Sequence, residues 1–140
     1  MKQECPFCEI HKEQRILEEA KNSFVIFSNP RIQPGHILVI PKRHVERLSQ
    51  LKSNESAELF SLVTKYQEKI LKNISTGCEV RQNFKPYLPD SRTHVNHLHF
   101  HLHPRDHDDQ VALEVDKHRK PLYKDLSELE AQRMKDRFSN

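Results

Sequence analysis

A run of alternating histidines near the C-terminal third is the strongest constraint on the fold of this chain. Residues 97–103 read His-Leu-His-Phe-His-Leu-His, and Pro104 and Arg105 follow. Because successive side chains of a β-strand point to opposite faces, the pattern predicts a strand with its three apolar side chains in the core and four imidazoles on the other face. Imidazole nitrogens need partners, and the ring buries less apolar area than leucine does. The row therefore indicates proton transfer, nucleophilic attack or metal binding near neutral pH.

The rest of the composition excludes several function classes. At 140 residues the chain is long enough for one core without disulfides, and we expect a single domain over residues 1–140. A net charge of +3 is too small to indicate nucleic-acid binding. With neither a membrane-spanning apolar run nor a signal-peptide pattern, we expect a cytoplasmic protein with no membrane partner. Gly35 and Gly77 are the only glycines of the sequence, which excludes a P-loop or Rossmann phosphate cradle.

Two of the three cysteines, Cys5 and Cys8, form a C-x-x-C pair. This spacing is typical of half a metal site or of a redox pair. A thioredoxin-like redox pair follows a strand and opens a helix, and no strand is predicted before Cys5. We therefore favour metal binding over redox chemistry or inert packing. Cys78 stands alone and is expected to be a small core residue.

The β-forming runs predict an antiparallel sheet. Residues 24–27 and 36–40 are β-rich and bounded by turn formers, so they predict a hairpin. A third strand is predicted over residues 78–84, and the histidine strand follows a proline-containing loop. Strands outnumber helices without regular βαβ alternation, which indicates an α+β fold.

Two helices are predicted between and after these strands. Ser53 is expected to be the N-cap of a long helix, because apolar residues recur every three or four positions from there to Ile70. A second, highly charged helix is predicted from about Ser127 to Arg137.

The spacing of the histidine row suits phosphate chemistry. Residues two apart on a strand lie roughly 7 Å apart, so neighbouring imidazoles can hold opposite sides of one phosphate-sized group. One neutral imidazole can attack phosphorus while a second contacts the phosphate oxygens or the leaving group. Phosphoryl chemistry depends mainly on positioning and charge stabilisation, so these few groups suffice.

Three separated motifs together carry a family resemblance. Residues 97–105, of the form H-φ-H-φ-H-φ-x-Pro-Arg, resemble the signature of the histidine triad (HIT) family. Residues 34–44 resemble that family's Pro-Gly-His and Leu-Val-Ile-Pro-Lys-x-His hairpin. Residues 5–8 resemble the zinc-binding start of many bacterial and archaeal members. The likeness spans residues 5–105 and leaves residues 106–140 as a C-terminal extension with a helix.

This resemblance implies a fold and a class of reaction. The fold would be HIT-like, an α+β domain whose antiparallel sheet of about five strands carries one long helix and a C-terminal helix. Members of the family are nucleotide hydrolases or nucleotidyl transferases and are mostly homodimers.

The resemblance also assigns roles to single residues. His99 matches the nucleophile, His101 the residue that contacts the phosphate and assists the leaving group, and His36 a histidine beside the α-phosphate. Ser28, or Asn29 after a shift of one residue, matches the position that holds the ribose hydroxyls. The base pocket would be walled by Ile26 and Leu38.

A structural zinc site follows from the same resemblance. Two thiolates and two imidazoles make a closed tetrahedral site. In zinc-bearing relatives the ligands correspond to Cys5, Cys8, His44 and His97, and His94 is a rival for the last position. A zinc-dependent hydrolase is an alternative function. It would need an open coordination position on the metal, and four protein ligands leave none.

The chain departs from the family pattern just before the triad. Residues 83–93 contain neither the glycines nor the glutamine of the usual phosphate-holding loop. Lys85 and Arg92 are the candidate phosphate contacts there, by charge, and Ser91 and Thr93 by their hydroxyls. His103 stands where an apolar residue is usual, and it receives no role.

The resulting expectation is a purine-nucleotide hydrolase with a nucleotidyl-histidine intermediate. It would cleave at the α-phosphate of a dinucleoside polyphosphate or a nucleoside phosphoramidate. One alternative is a transferase or phosphorylase in which phosphate replaces water as the acceptor. Another is a nucleotide-binding interaction protein without turnover.

Overall fold

The computed structural model describes residues 5–10 and 15–139, and for residue 116 it describes the backbone alone. The chain divides into two compact units, residues 1–107 and residues 108–140. The expectation of a single domain over residues 1–140 stays a prediction.

The first unit is a five-stranded antiparallel sheet with one long helix, as predicted. The strand order is β1-β2-β3-β5-β4, which places the histidine strand between β3 and β4. The elements are β1 Ile16–Glu19, β2 Ser23–Phe27, β3 Ile37–Pro41, α1 Ser53–Asn73, β4 Gly77–Gln82 and β5 Phe100–Arg105. The predicted α+β class is confirmed.

Both faces of the β2–β3 hairpin are buried. Val25 and Val39 pair across the two strands and pack with α1 in one apolar cluster. Ile26 and Leu38 point to the opposite face, where Phe7 and further apolar side chains cover them. The continuous apolar runs of β2 and β3 therefore have a simple cause, since neither face of these strands is exposed to water.

The turn before β3 depends on glycine. Gly35 has a φ of +89°, a left-handed conformation that a side chain disfavours. A Cβ atom built there would lie 3.1 Å from Cγ of Pro104 and 3.2 Å from Cδ1 of Ile74. Gly35 thus lets the chain turn sharply against β5, and this brings His36 beside the histidine row.

The histidine strand is shorter than predicted at its start. The β5 ladder begins at Phe100, and residues 97–99 precede it. The backbone N–H of Leu98 instead donates to the carbonyl of Val45, at 2.6 Å, because β3 has already ended at Pro41. The predicted alternation is confirmed all the same: Leu98 and Leu102 are in the core, and Phe100 packs against it.

The start of α1 corrects one expectation. The N-cap residue is Lys52, and Ser53 is already helical. The carboxylate of Glu55 accepts a hydrogen bond from the Lys52 backbone N–H at 2.8 Å and bonds to the guanidinium of Arg43. The carboxylate of the third helical residue therefore satisfies the backbone N–H of the N-cap, and the predicted serine hydroxyl does not cap this helix.

The second unit contains two helices, α2 Gln110–Arg119 and α3 Glu128–Phe138. The α3 helix was predicted, and the Ser127 hydroxyl caps it by accepting from the Glu130 N–H. The α2 helix was not predicted. Across the part of the chain that the structure describes, no helix combines the length and apolarity needed to cross a bilayer.

Candidate active site and metal centre

A cavity of about 340 Å³ lies at the end of the sheet where His36 and the histidine row meet. Four separate segments line it: the Cys-x-x-Cys turn, the loop between β2 and β3, the turn at residues 92–95, and the row itself. Its lining residues are Phe7, Ser28, Asn29, Pro30, Arg31, Ile32, His36, Arg92, Thr93, Val95, His99 and His101.

Hydrogen bonds fix the tautomers of His36 and His101. The Ile32 backbone N–H donates to Nδ1 of His36 at 3.1 Å, so the proton of a neutral His36 is on Nε2. That Nε2 lies 2.9 Å from Nδ1 of His101 and donates to it. The proton of His101 is then on its own Nε2. His101 therefore presents a hydrogen-bond donor.

His99 has the opposite tautomer. Its Nδ1 lies 2.6 Å from the carbonyl oxygen of His97, so Nδ1–H donates and Nε2 keeps a bare lone pair. The rings of His99 and His101 are 4.8 Å apart, centroid to centroid. One cavity thus holds a free imidazole lone pair and an imidazole N–H donor as neighbours, a pair that is suited to displacement at phosphorus.

Burial keeps these imidazoles neutral. The pKa of His36 is lowered to about 4 and that of His101 to about 3. Desolvation is the main cause in both, and the neighbouring histidines and Arg81 contribute to the same shift. Burial also lowers the pKa of His99, against the hydrogen bond to the His97 carbonyl, which raises it. At pH 7 the tautomers described above are therefore the populated forms.

The predicted metal ligands come together beside this cavity. Cys5, Cys8, His44 and His97 each offer one ligand atom, and these atoms all lie within 4.8 Å of one another. His97 Nδ1 is 3.4 Å from the sulfur of Cys5 and 3.2 Å from Nδ1 of His44. His94, the rival ligand, hydrogen-bonds to Asn96 at 3.0 Å instead.

These residues fit a tetrahedral zinc ion. Zinc–sulfur and zinc–nitrogen bonds of usual length place neighbouring ligand atoms roughly 3.3–3.8 Å apart. The Cys8 sulfur lies 3.4 Å from His44 Nδ1 and 3.7 Å from His97 Nδ1, close to that range. Nε2 of His97 donates to the Pro41 carbonyl at 2.8 Å, which leaves Nδ1 with a lone pair directed at the thiols. Such a carbonyl partner is the usual support of a metal-binding imidazole.

Phe7 contacts both His97, a candidate metal ligand, and His99. It lies between the two cysteines, and its ring contacts His99 edge-on at 5.1 Å and His97 at 5.9 Å. Only 7% of Phe7 is exposed. The turn that carries the thiols therefore also forms one wall of the cavity.

The other predicted site residues divide into two groups. Ser28, Asn29 and Arg92 line the cavity. The Ser28 hydroxyl donates to the Pro30 carbonyl, which leaves the Asn29 amide as the better candidate for ribose hydroxyls.

Three predicted substrate contacts lie elsewhere. Ile26 and Leu38 are buried in the cluster with Phe7, beneath the cavity wall. Lys85 is exposed, in the turn at residues 85–88.

Sequence reasoning missed Phe7, Arg31 and Ile32 as cavity residues. Arg31 adds a second guanidinium to that of Arg92. The sequence signal for Arg31 was its position between the predicted ribose contacts at residues 28–29 and the Pro-Gly-His motif at residues 34–36. A loop that joins two predicted substrate contacts is expected to lie beside the substrate.

The comparison with known families agrees with this geometry. The HIT domain matches residues 9–108. The chain belongs to the HIT family. Among curated HIT relatives, the bis(5'-nucleosyl)-tetraphosphatase (asymmetrical) of Schizosaccharomyces pombe is 34% identical over 65% of this chain and 49% of its own length. The AP-4-A phosphorylase of Mycobacterium tuberculosis is 32% identical over 71% of this chain and 53% of its own length. The chain thus spans about half the length of these two relatives.

A solved HIT structure confirms the predicted fold. A HIT family protein from Bacillus subtilis superposes with a TM-score of 0.73 at 21% identity, covering 98% of this chain and 96% of that one. At this identity the likeness establishes the HIT fold.

Proposed function

We propose that the chain is a nucleotide hydrolase that cleaves at the α-phosphate through a nucleotidyl intermediate on His99. The observation that carries this proposal is the opposite tautomers of two neighbouring imidazoles in one cavity. His99 offers a bare Nε2, and His101 offers Nε2–H. The intact triad and the HIT relatives support the same reaction class.

The reaction divides into two displacements. In the first, Nε2 of His99 attacks the α-phosphorus, a P–N bond forms, and the bond to the leaving group breaks. A nucleotide leaves as its anion, whereas the amine of a phosphoramidate leaves with a proton from His101 Nε2, which solvent restores. His101 donates a hydrogen bond from Nε2 to the oxygens that gain negative charge, and His36 holds His101 in that tautomer. In the second, water attacks the same phosphorus and the P–N bond breaks. A water proton passes to solvent, and His99 regains its lone pair.

The leading substrate class is a dinucleoside polyphosphate with a purine base, and a nucleoside phosphoramidate is the other form. Arg31 and Arg92, both at the cavity, supply positive charge for a phosphate chain. The tetraphosphatase relative supports the first class. The phosphorylase relative supports one alternative, in which phosphate rather than water attacks the intermediate.

The Cys/His centre is proposed as a structural zinc site. Cys5, Cys8, His44 and His97 would fill all four positions and leave none open for substrate. An ion there would fix His97, whose carbonyl holds the nucleophile. This argues against a zinc-dependent hydrolase at that centre.

A homodimer is proposed as the assembly. The outer edge of β4 is a free sheet edge in the described part of the chain, so a second copy could extend the sheet there. The cytoplasmic location and the absence of a nucleic-acid partner stay predictions.

One experiment tests the reaction and its acceptor together. The protein is incubated with dinucleoside polyphosphates, adenylated amines and nucleoside diphosphate sugars, with and without phosphate, and the products are identified by mass. A mononucleotide carrying one oxygen from labelled water supports hydrolysis. A phosphate-dependent product with one more phosphate supports the transferase. If no substrate turns over, and wild type and His99→Asn bind nucleotide equally, the chain is the non-catalytic binding protein.

A further inference from the structure

His103 is the member of the histidine row to which the proposed reaction gives no task. It is only 4% exposed, although its position usually carries an apolar residue. Its ring lies 4.1 Å from that of His36, centroid to centroid, and stacks at 5° and 5.4 Å on that of His101. A buried polar ring in contact with two others is costly unless its nitrogens find a partner.

We propose that His36, His101 and His103 form a second binding site, for a divalent transition-metal ion. One nitrogen from each ring belongs to a set whose members all lie within 4.8 Å of one another. This set shares no ligand with the Cys/His centre. The three residues come from the Pro-Gly-His turn and from β5, which the sheet holds side by side.

The donor chemistry selects the class of ion. Three imidazoles and no carboxylate suit Zn²⁺, Co²⁺, Ni²⁺ or Cu²⁺ rather than Mg²⁺ or Ca²⁺. Three protein ligands also leave a fourth position for water or a phosphate oxygen, unlike the closed Cys/His set.

The guanidinium groups of Arg81 and Arg105 oppose a cation near His103, and the carboxylate of Glu79 favours one, so the surrounding charge is positive on balance. Glu79 pairs across the strands with His103 and forms ion pairs with Arg81 and with Arg105, the latter at 2.9 Å. The site therefore depends on its nitrogen ligands for affinity, and this favours metals that bind imidazole strongly.

An ion at this site would compete with catalysis, an inference that rests on the proposed function. Nε2 of His36 and Nδ1 of His101 share one proton across 2.9 Å. His36 cannot use Nδ1 for the metal while that atom accepts from the Ile32 N–H. Coordination through Nε2 would move its proton to Nδ1, with loss of the Ile32 hydrogen bond, and would break the hydrogen bond to His101. A phosphate oxygen bound at the open position of the ion would no longer be placed for attack by His99. The metal-bound form should then be inactive.

Metal binding is tested without reference to turnover. Wild type, His103→Leu and the exposed control His118→Leu, each carrying a single equivalent of zinc per chain, are dialysed against Co²⁺, and bound cobalt is measured by elemental analysis and visible absorption. We expect wild type and His118→Leu to bind one more equivalent than His103→Leu, whose affinity falls at least about 10-fold. The absorption should show d–d bands without a thiolate charge-transfer band. Equal cobalt binding by wild type and His103→Leu would overturn the proposal.

A second variant guards against an effect of the leucine on folding. His103→Gln keeps a polar side chain of similar size, and it should lose the extra equivalent as His103→Leu does. If His103→Gln binds cobalt like wild type, the three-histidine site is wrong.

The activity arm tests the competition. His103 is outside the catalytic machinery, so His103→Leu should keep its basal turnover and become at least about 10-fold less sensitive to inhibition by Co²⁺. Equal inhibition of wild type and His103→Leu would contradict the competition. A chain without turnover would refute the proposed hydrolase and leave the dialysis result to decide the metal site.

Discussion

At the scale of single residues, the backbone sets the roles of chemically identical side chains. The His97 carbonyl takes the Nδ1 proton of His99, whereas the Ile32 N–H and His36 together place the proton of His101 on Nε2. The Pro41 carbonyl holds His97 with its Nδ1 toward the cysteines. Three imidazoles of one row thus differ in their free nitrogens, as their proposed roles of nucleophile, donor and metal ligand require.

The lowered pKa values of His36 and His101 predict an unusual pH profile. With pKa values of about 4 and about 3, both rings stay neutral down to about pH 5, and protonation below that removes the lone pair on His101 Nδ1. The turnover number of the folded protein should therefore be flat from pH 8 through the ordinary histidine pKa and fall only below it, because burial lowers the pKa of His99 as well as those of His36 and His101. Initial rates, with circular dichroism to verify folding, measure this. A midpoint near the ordinary histidine pKa of about 6.5 would contradict it.

Phe7 is expected to position the nucleophile. Replacing it by alanine removes the edge contact with His99 and leaves a cavity beneath the turn. Phe7→Ala should lower kcat about 10-fold and the free energy of unfolding by about 3 kcal/mol. Phe7→Leu keeps most of the volume, and it should recover the stability but only part of kcat, with KM unchanged in both variants. If kcat is the same in Phe7→Ala as in wild type, Phe7 only fills space.

At the scale of secondary-structure elements, the carboxylate of Glu55 connects the start of α1 to Arg43, which lies two residues after the end of β3. Glu55 is 6% exposed; it accepts from the Lys52 N–H and pairs with Arg43 at 2.7 Å. The hydrogen bond from Arg43 is the main cause that lowers the pKa of Glu55 to about 2. This contact fixes the segment that carries His44, a proposed zinc ligand.

The stabilisation from Glu55 should depend on pH in a defined direction. Because its pKa is lower in the folded chain, the contribution is complete above the unfolded value of about 4.3 and is lost as the pH falls toward 2. Glu55→Gln should cost about 1 kcal/mol at pH 7 and less at pH 3. Urea unfolding at both pH values measures the difference. The exposed Glu68→Gln on the same helix serves as the control, and a cost for Glu55→Gln that does not change with pH would refute this explanation.

The pattern of neighbouring residues predicted those helices and strands that form because of neighbouring residues. The β2–β3 hairpin, α1, α3 and the alternation of Leu98 and Leu102 follow from burial periodicity, and the structure has them. By contrast, β1 was missed, because Ile16-Leu17-Glu18-Glu19 has little β-branching and is held by pairing with β2. The α2 helix was missed because its apolar residues do not form one stripe.

The site was predictable where short motifs carry it. The sequence placed the histidines and the metal ligands, which the structure brings together. It did not predict that Phe7 lines the cavity, or that His103 contacts His36, since these contacts join residues far apart in the chain. Only the folded sheet creates them.

At the scale of the whole molecule, the proposed zinc site ties together three distant parts of the first unit. Cys5 and Cys8 lie in the N-terminal turn, and His97 begins the histidine row. His44 lies three residues after the end of β3 at Pro41. An ion bound there closes two long loops, so it should stabilise the unit strongly.

Zinc removal should therefore loosen the first unit. We expect one zinc per chain by elemental analysis, and a melting temperature at least about 10 °C lower after chelation. Cys8→Ser should lose the metal and show the same decrease without chelator. Cys78→Ser is the matched control and should keep both metal and stability. A chain that melts at the same temperature with and without chelator would contradict the structural role.

The central claim is that His99 becomes covalently bound to the nucleotide, and trapping that adduct tests it most directly. Wild type, His99→Gln and the control His94→Gln are mixed with a dinucleoside polyphosphate labelled at the α-phosphate, quenched within milliseconds under conditions that preserve P–N bonds, and digested for mass spectrometry. The account predicts a nucleotidyl group on His99 in wild type and in His94→Gln. His99→Gln should carry no adduct, and its turnover should be at least about 10³-fold lower. An adduct on another residue, or full turnover by His99→Gln, would contradict the account.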